Sequence, residues 1–165
     1  MFIEHFNDLI KELGTSVGLP DLKPGDEGLC SLRFDDKVTL DLECHEDTGA
    51  LIISSVVGTL NTIVAEAFYP LLLEANLLWG GTGGATLGVD PATLSVFMCY
   101  QEKIEAMEFF RFQELLKGFS DVALYWYQRL QQSPEESGKL TEVVALPAVG
   151  AAGGNATPPP GATFA

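Results

Sequence analysis

Three strand-like runs stand back to back between residues 28 and 58, separated only by short turns. Cys30, Leu32 and Phe34 alternate with Leu29, Ser31 and Arg33, and Asp35-Asp36-Lys37 then turns the chain. Val38, Leu40, Leu42 and Cys44 alternate with Thr39, Asp41, Glu43 and His45, the cleanest two-residue period in the sequence, with one face dry and one wet. Glu46-Asp47-Thr48-Gly49 turns again, and Leu51 to Val57 forms a third run, more apolar on both faces than the second. Adjacent strands joined this tightly imply an antiparallel meander.

Helical patterns flank the meander. Phe2, Phe6, Leu9 and Leu13 fall at helical spacing over residues 2–14, and Gly14 and Gly18-Leu19-Pro20 end that helix. Residues 60–79 read as a second helix, capped by Thr59 or Asn61, with Ile63, Ala67, Leu71, Ala75 and Leu78 on one face. Pro70 predicts a kink or break in it, because proline lacks the N–H that the helix needs. Leucines on several sides predict more than one neighbour for this helix. Gly80-Gly81-Thr82-Gly83-Gly84 reads as a flexible loop, and 85–89 and 93–101 read as a hairpin turning at Asp90-Pro91-Ala92. Residues 103–132 read as the longest helix, with a core stripe of Phe109, Phe112, Leu116, Phe119, Ala123, Trp126 and Leu130. The predicted order is α-β-β-β-α-β-β-α, an α+β fold with a twisted antiparallel sheet packed on helices.

Two segments follow. Residues 1–133 carry the patterns of one folded domain. Residues 134–165 are Ala/Gly/Pro-rich, ending near Pro158-Pro159-Pro160, and read as a flexible tail or as a peptide that orders only against a partner.

The composition excludes several functions. A net charge of −14 opposes binding to a phosphate backbone, so no nucleic acid is expected. No Lys or Arg lies between Lys37 and Lys103, which favours a basic or neutral partner, or serves solubility. No apolar run is long enough to span a membrane, and no basic leader opens the chain. Cys30, Cys44 and Cys99 have no pairing pattern, which fits a reducing cytoplasm and small buried side chains.

No reactive cluster emerges. The glycine loop lacks the Lys-Ser/Thr of a phosphate loop, since Ala85-Thr86-Leu87 follows Gly84. It also lacks the third glycine of a dinucleotide fingerprint and opens a strand instead of a helix. His45, with Glu43, Cys44, Glu46 and Asp47, can be drawn as a metal site, but alternation turns Cys44 away from His45. His5 has no partner in sequence. The expectation is no catalytic residue, no metal and no cofactor.

The ordered words Leu9-Ile10-Lys11-Glu12-Leu13-Gly14, Gly28-Leu29-Cys30-Ser31-Leu32-Arg33-Phe34-Asp35-Asp36, Leu72-Leu73-Glu74-Ala75-Asn76, Gly83-Gly84-Ala85-Thr86-Leu87-Gly88-Val89-Asp90 and Phe119-Ser120-Asp121-Val122-Ala123 with Trp126 carry a resemblance. Over about residues 2–132 the chain resembles the Tir-chaperone-like type III secretion chaperones that serve individual effectors. The resemblance implies a cytoplasmic, non-enzymatic homodimer of a bacterial virulence system. Such a dimer binds the N-terminal region of a secretion effector in a largely extended state, without ATP. Two features depart from the family pattern, the long tail and Pro70.

An extended client can add to a sheet edge through main-chain hydrogen bonds, or lay an apolar helix face in a groove. Phe6, Ile10, Leu32, Phe34, Leu40 and Leu42 are the expected effector-binding pockets, although the same positions also read as plain core. The resemblance places dimer contacts near the second helix and the next strand, at Leu71, Leu72, Ala75, Leu78, Trp79 and Leu87. The surplus of leucine there is the physical argument. A small α+β ligand-binding domain or enzyme with an unrecognised site, and a generic interaction adaptor, stand as alternatives.

Overall fold

A computed structural model describes residues 1–134; the expected tail lies outside the described residues, apart from its first position. The elements are α1 (Phe2–Ser16), β1 (Leu29–Phe34), β2 (Val38–His45), β3 (Ala50–Thr59), α2 (Ala65–Asn76), β4 (Thr86–Val89), β5 (Ser95–Lys103) and α3 (Phe109–Leu130). Short 3-10 turns at Asp26–Gly28 and Leu77–Trp79 complete the order. The α+β class and the element order are those expected from sequence.

All pairings are antiparallel, and the sheet runs β1-β2-β3-β5-β4. The β1–β2 turn places Asp35 and Asp36 in the left-handed region, at φ 50° and 53°, and closes with Lys37 N–H donating to the Phe34 carbonyl at 3.1 Å. Aspartate tolerates that conformation better than most residues. In β2 burial alternates without a break, as the period-2 pattern requires. The ten-residue β3 is the central strand, bonded to β2 on one side and β5 on the other.

Helices α1 and α3 cover one face of this sheet. Phe6, Leu9, Ile10 and Leu13 of α1 and Phe112, Leu115, Leu116, Phe119 and Trp126 of α3 meet Leu40, Leu42, Leu51, Ile53 and Met98 in one core. Met1 supplies no side-chain cap to α1. Instead the Glu46 carboxylate, from the β2–β3 turn, accepts from Phe2 N–H at 3.3 Å and Ile3 N–H at 2.7 Å. An anion at a helix N-terminus satisfies orphan donors and opposes the positive end of the dipole.

Six expectations are corrected. The second helix starts at Ala65, not at 60. Leu60 N–H is tied to the Leu94 carbonyl at 2.9 Å, and the Asn61 side chain accepts from Ile63 N–H at 2.9 Å, which winds a local turn before the helix can begin. Helix α2 then runs unbroken through Pro70, which is exposed, so the Glu66 carbonyl that loses its partner faces solvent. Its buried face is Ala65, Phe68, Leu71, Leu72 and Ala75, while Ile63, Ala67 and Leu78 point outward.

The longest helix begins at Phe109, because residues 101–103 continue β5 against β3, with Lys103 opposite Ala50. The glycine segment is not a loose loop. Gly81, Thr82 and Gly83 are buried, and the Trp126 indole N–H donates to the Gly81 carbonyl at 2.8 Å. A Cβ on Gly81 would sit 2.8 Å from Ala75 Cα, so only glycine permits this approach. Finally, Cys30 and Cys44 are buried but Cys99 is exposed, because it lies on the sheet face that no helix covers.

Candidate binding and assembly surfaces

The first surface is a groove of about 450 Å³ where the C-terminal end of α1, the β1–β2 turn and α3 meet. Leu13, Val17, Phe34, Val38, Leu116 and Leu124 line it. Its rim carries Asp35, Glu114 and a Lys117–Asp121 ion pair at 2.7 Å. The hydrogen bond that Lys117 donates to Asp121, and then the Asp121 charge, raise the Lys117 pKa above its ordinary value. An apolar trough with a charged rim suits an apolar side chain or helix face better than a reacting group.

The second surface is the edge of β1. Leu29 accepts from Gly25 N–H on the side away from β2, whereas Phe34 closes the turn toward β2. Backbone groups alternate between the two sides of an antiparallel strand. The N–H and C=O of Ser31 and Arg33 therefore point outward, ready for an added strand. The other edge differs. Asn76, the last residue of α2, bonds both the N–H and the C=O of Leu87 in β4, each at 2.9 Å. One edge of the sheet is thus open and the other is occupied at its centre.

The third surface is exposed and apolar. Ile63, Leu73, Leu77 and Trp79 project from α2 and its flanks, with Leu73 70% and Leu78 84% exposed. Leu78 and Trp79 both hold positive φ, 50° and 56°. Each such residue costs roughly 1–2 kcal/mol relative to an ordinary helical conformation, so the fold spends stability to present two large apolar side chains to solvent. On the uncovered sheet face Val56 stands opposite Phe97, which stands opposite Gly88. Gly88 has nothing within 4 Å of a Cβ position, so this row has an open recess beside the Phe97 ring.

These surfaces redraw the expected site residues. Phe6, Ile10, Leu32, Leu40 and Leu42 are interior side chains of the core, facing α1 and α3, and offer no surface. Only Phe34 lines the groove, half-buried. Leu71, Leu72, Ala75 and Leu87 are likewise buried within the subunit, whereas Leu78 and Trp79 are exposed. Sequence reasoning missed Val17 and Leu124 in the groove, and Leu73, Leu77, Val56 and Phe97 outside the core. One signal was present: Leu71-Leu72-Leu73 cannot all face one side at 100° per residue.

The titratable groups form structural pairs. Glu102 is bound by Arg111 Nε at 3.1 Å and Nη2 at 2.5 Å, and by the Tyr100 hydroxyl at 3.1 Å. Burial first, and then the Glu102 charge, pushes the Tyr100 phenol up. His45 Nε2 lies 2.9 Å from Glu43, with Cys44 turned inward, and His5 Nε2 lies 2.8 Å from the Met107 carbonyl. Burial raises the Cys30 and Cys44 thiols, as befits inert core side chains. Among the described residues no group of three His, Cys, Asp or Glu side chains could hold a metal ion. No helix among them is long and apolar enough to cross a membrane.

Comparison with known proteins places this geometry. The ExsC–ExsE complex contains a chain 26% identical to this one, with a TM-score of 0.64, covering 75% of this chain and 92% of that one. The HopA1–SchA chaperone–effector complex matches in fold at 19% identity and a TM-score of 0.60, over 78% and 94% of the two chains. The Yersinia pestis type III secretion chaperone SycH, solved with a fragment of YscM2, matches at 17% identity and a TM-score of 0.54, over 73% and 98%. A sequence search among curated proteins gives no match. The family model of the Tir chaperone proteins matches residues 8–127, from the middle of α1 through most of α3. The chain belongs to the Tir chaperone protein (CesT) family.

Proposed function

We propose that this chain is a non-catalytic cytoplasmic chaperone that binds the N-terminal region of a type III secretion effector, keeps it largely extended and so holds it competent for secretion. One observation carries the reading: an open β1 edge beside an apolar groove, on a sheet whose other edge is partly taken. An extended client adding along Ser31 and Arg33 would gain main-chain hydrogen bonds, and its apolar side chains would enter the groove at Phe34. Neither interaction needs a reacting group. The acidic Asp41 and Glu43, exposed one strand in from the edge, favour a neutral or basic client segment.

The chaperone acts as a homodimer in this reading. Ile63, Leu73, Leu77, Leu78 and Trp79, with Val56 and Phe97 on the bare sheet face, form the contact. Apolar side chains exposed to this extent in a stable monomer are uncommon, and an isologous interface would cover them. Residues 1–133 form the chaperone unit in this reading.

The test starts with co-purification from the native cell, followed by hydrogen exchange on the captured complex. Protection confined to an N-terminal stretch of the client supports the reading. Phe34→Asp, on the groove wall, is expected to weaken that complex at least tenfold, about 1.4 kcal/mol, with an unchanged circular dichroism spectrum. A client held as a folded globule, or affinity untouched by Phe34→Asp in a folded protein, would overturn it.

A further inference from the structure

We infer that the groove between α1, the β1–β2 turn and α3 is the docking site for the chain's own segment 140–146, an internal ligand that a client must displace. Beyond Pro134 the sequence holds six Leu, Val and Phe residues, and four of them, Leu140, Val143, Val144 and Leu146, fall within these seven positions. Pro147 closes the run. An apolar segment tethered to a domain with an apolar groove is driven into it by the same burial that folds cores.

The tether has the right length. Helix α3 ends at Leu130, and Leu124, the lining residue nearest that end, lies about 9 Å back along the axis. Residues 135–139 can span up to about 17 Å when extended, enough to fold back and deliver Leu140 to the Leu124 end. From Leu124 to Gln113 the groove follows α3 for about 17 Å. Seven residues cover that distance whether extended or partly coiled. Covalent attachment holds the segment at a high effective concentration, so weak contacts suffice.

Charge is sparse in the segment. The chain carries a net charge of −14, yet residues 140–146 carry one acidic side chain, Glu142, and residues 143–165 carry none. Lys139, the one cation after Arg129, immediately precedes the segment and would arrive at a rim that holds Asp121 and Glu114.

The full-length chain provides the test. A nitroxide is attached at Ala145→Cys in a Cys99→Ser background, which leaves only the buried Cys30 and Cys44. Methyl signals of Leu13, Val17 and Leu124 are expected to broaden several-fold more than those of Leu73 on α2 and Leu77 in the turn after it. Adding V143D and V144D should abolish the difference. Equal broadening on α2, or none in the groove, would overturn the docking. Broadening that appears only when spin label and observed methyl sit on different chains would overturn the intrachain form. The competition with a client rests on the chaperone reading. V143D and V144D should raise affinity for the co-purified client segment at least threefold. Because the broadening needs no client, its failure removes the docking and leaves the chaperone reading untouched. Intact docking with unchanged client affinity overturns the competition alone.

Discussion

The side-chain amide of Asn76 holds both backbone polar groups of Leu87, donating from Nδ2 to the carbonyl and accepting at Oδ1 from the N–H, each at 2.9 Å. The last residue of α2 thereby acts as one further rung on the four-residue β4. Asn76→Ala strips both bonds and leaves two strand groups unpaired, at a cost of about 1–3 kcal/mol. Urea unfolding should report that loss, and amide exchange at Leu87 should accelerate first. Asn76→Asp keeps the acceptor and loses the donor, so it should fall between wild type and Asn76→Ala.

Gly81 lies between Ala75 and Trp126, with its carbonyl bonded to the indole and its Cα facing the α2 backbone. Gly81→Ala places a methyl 2.8 Å from Ala75 Cα, so backbone must move. Overpacking of this kind costs about 1–3 kcal/mol. The buried indole should lose its hydrogen bond as well. Thermal melting checks the first effect, and a change in Trp126 emission, read in a Trp79→Phe background, checks the second.

Leu73 and Leu77 contribute little to the subunit core, since both are largely exposed. Charge there should separate a dimer without unfolding its halves. Leu73→Asp with Leu77→Asp is expected to halve the mass seen by light scattering at micromolar concentration and leave the circular dichroism spectrum unchanged. Cys99, on the bare sheet face, supplies an independent reading. Its reaction with a thiol reagent should quicken on dilution of the wild type and be fast at every concentration in the double variant.

Asp90 titrates with the β4–β5 turn. The Thr93 hydroxyl, then the Ala92 N–H, hold its carboxyl below the usual value of 3.8. A depressed folded-state pKa means that the carboxylate's contribution is present above the unfolded value and is lost as pH falls through the folded one. The turn should therefore loosen below about pH 3.8, seen as faster exchange of the Ser95 amide once the intrinsic pH dependence of exchange is removed. Asp90→Asn should erase that step.

Much of the fold was legible in local pattern. The alternation of Val38 to His45 specified a half-buried strand, and the Phe112-Leu116-Phe119-Ala123-Trp126 stripe specified the buried side of α3. Short turns after Phe34 and His45 left the meander as the simple solution. The binding surfaces were less legible, because a side chain at the right period for a core and one at the right period for a pocket look alike in sequence. Leu40 and Phe34 both follow the alternation, yet one is interior and the other lines a groove at the sheet margin, where a turn leaves it half covered.

What the chain determined by itself was its element order, its acidic character and the kind of residue each face carries, since these follow from nearest neighbours along the sequence. Tertiary structure decided which leucines of 71–78 are spent on the core, why Gly81 must be glycine, and which sheet edge stays open. Those outcomes depend on contacts between residues far apart in sequence: Trp126 with Gly81, Asn76 with Leu87 across a loop, and β5 inserting between β3 and β4. Periodicity records how a segment faces its surroundings, and only packing determines what those surroundings are.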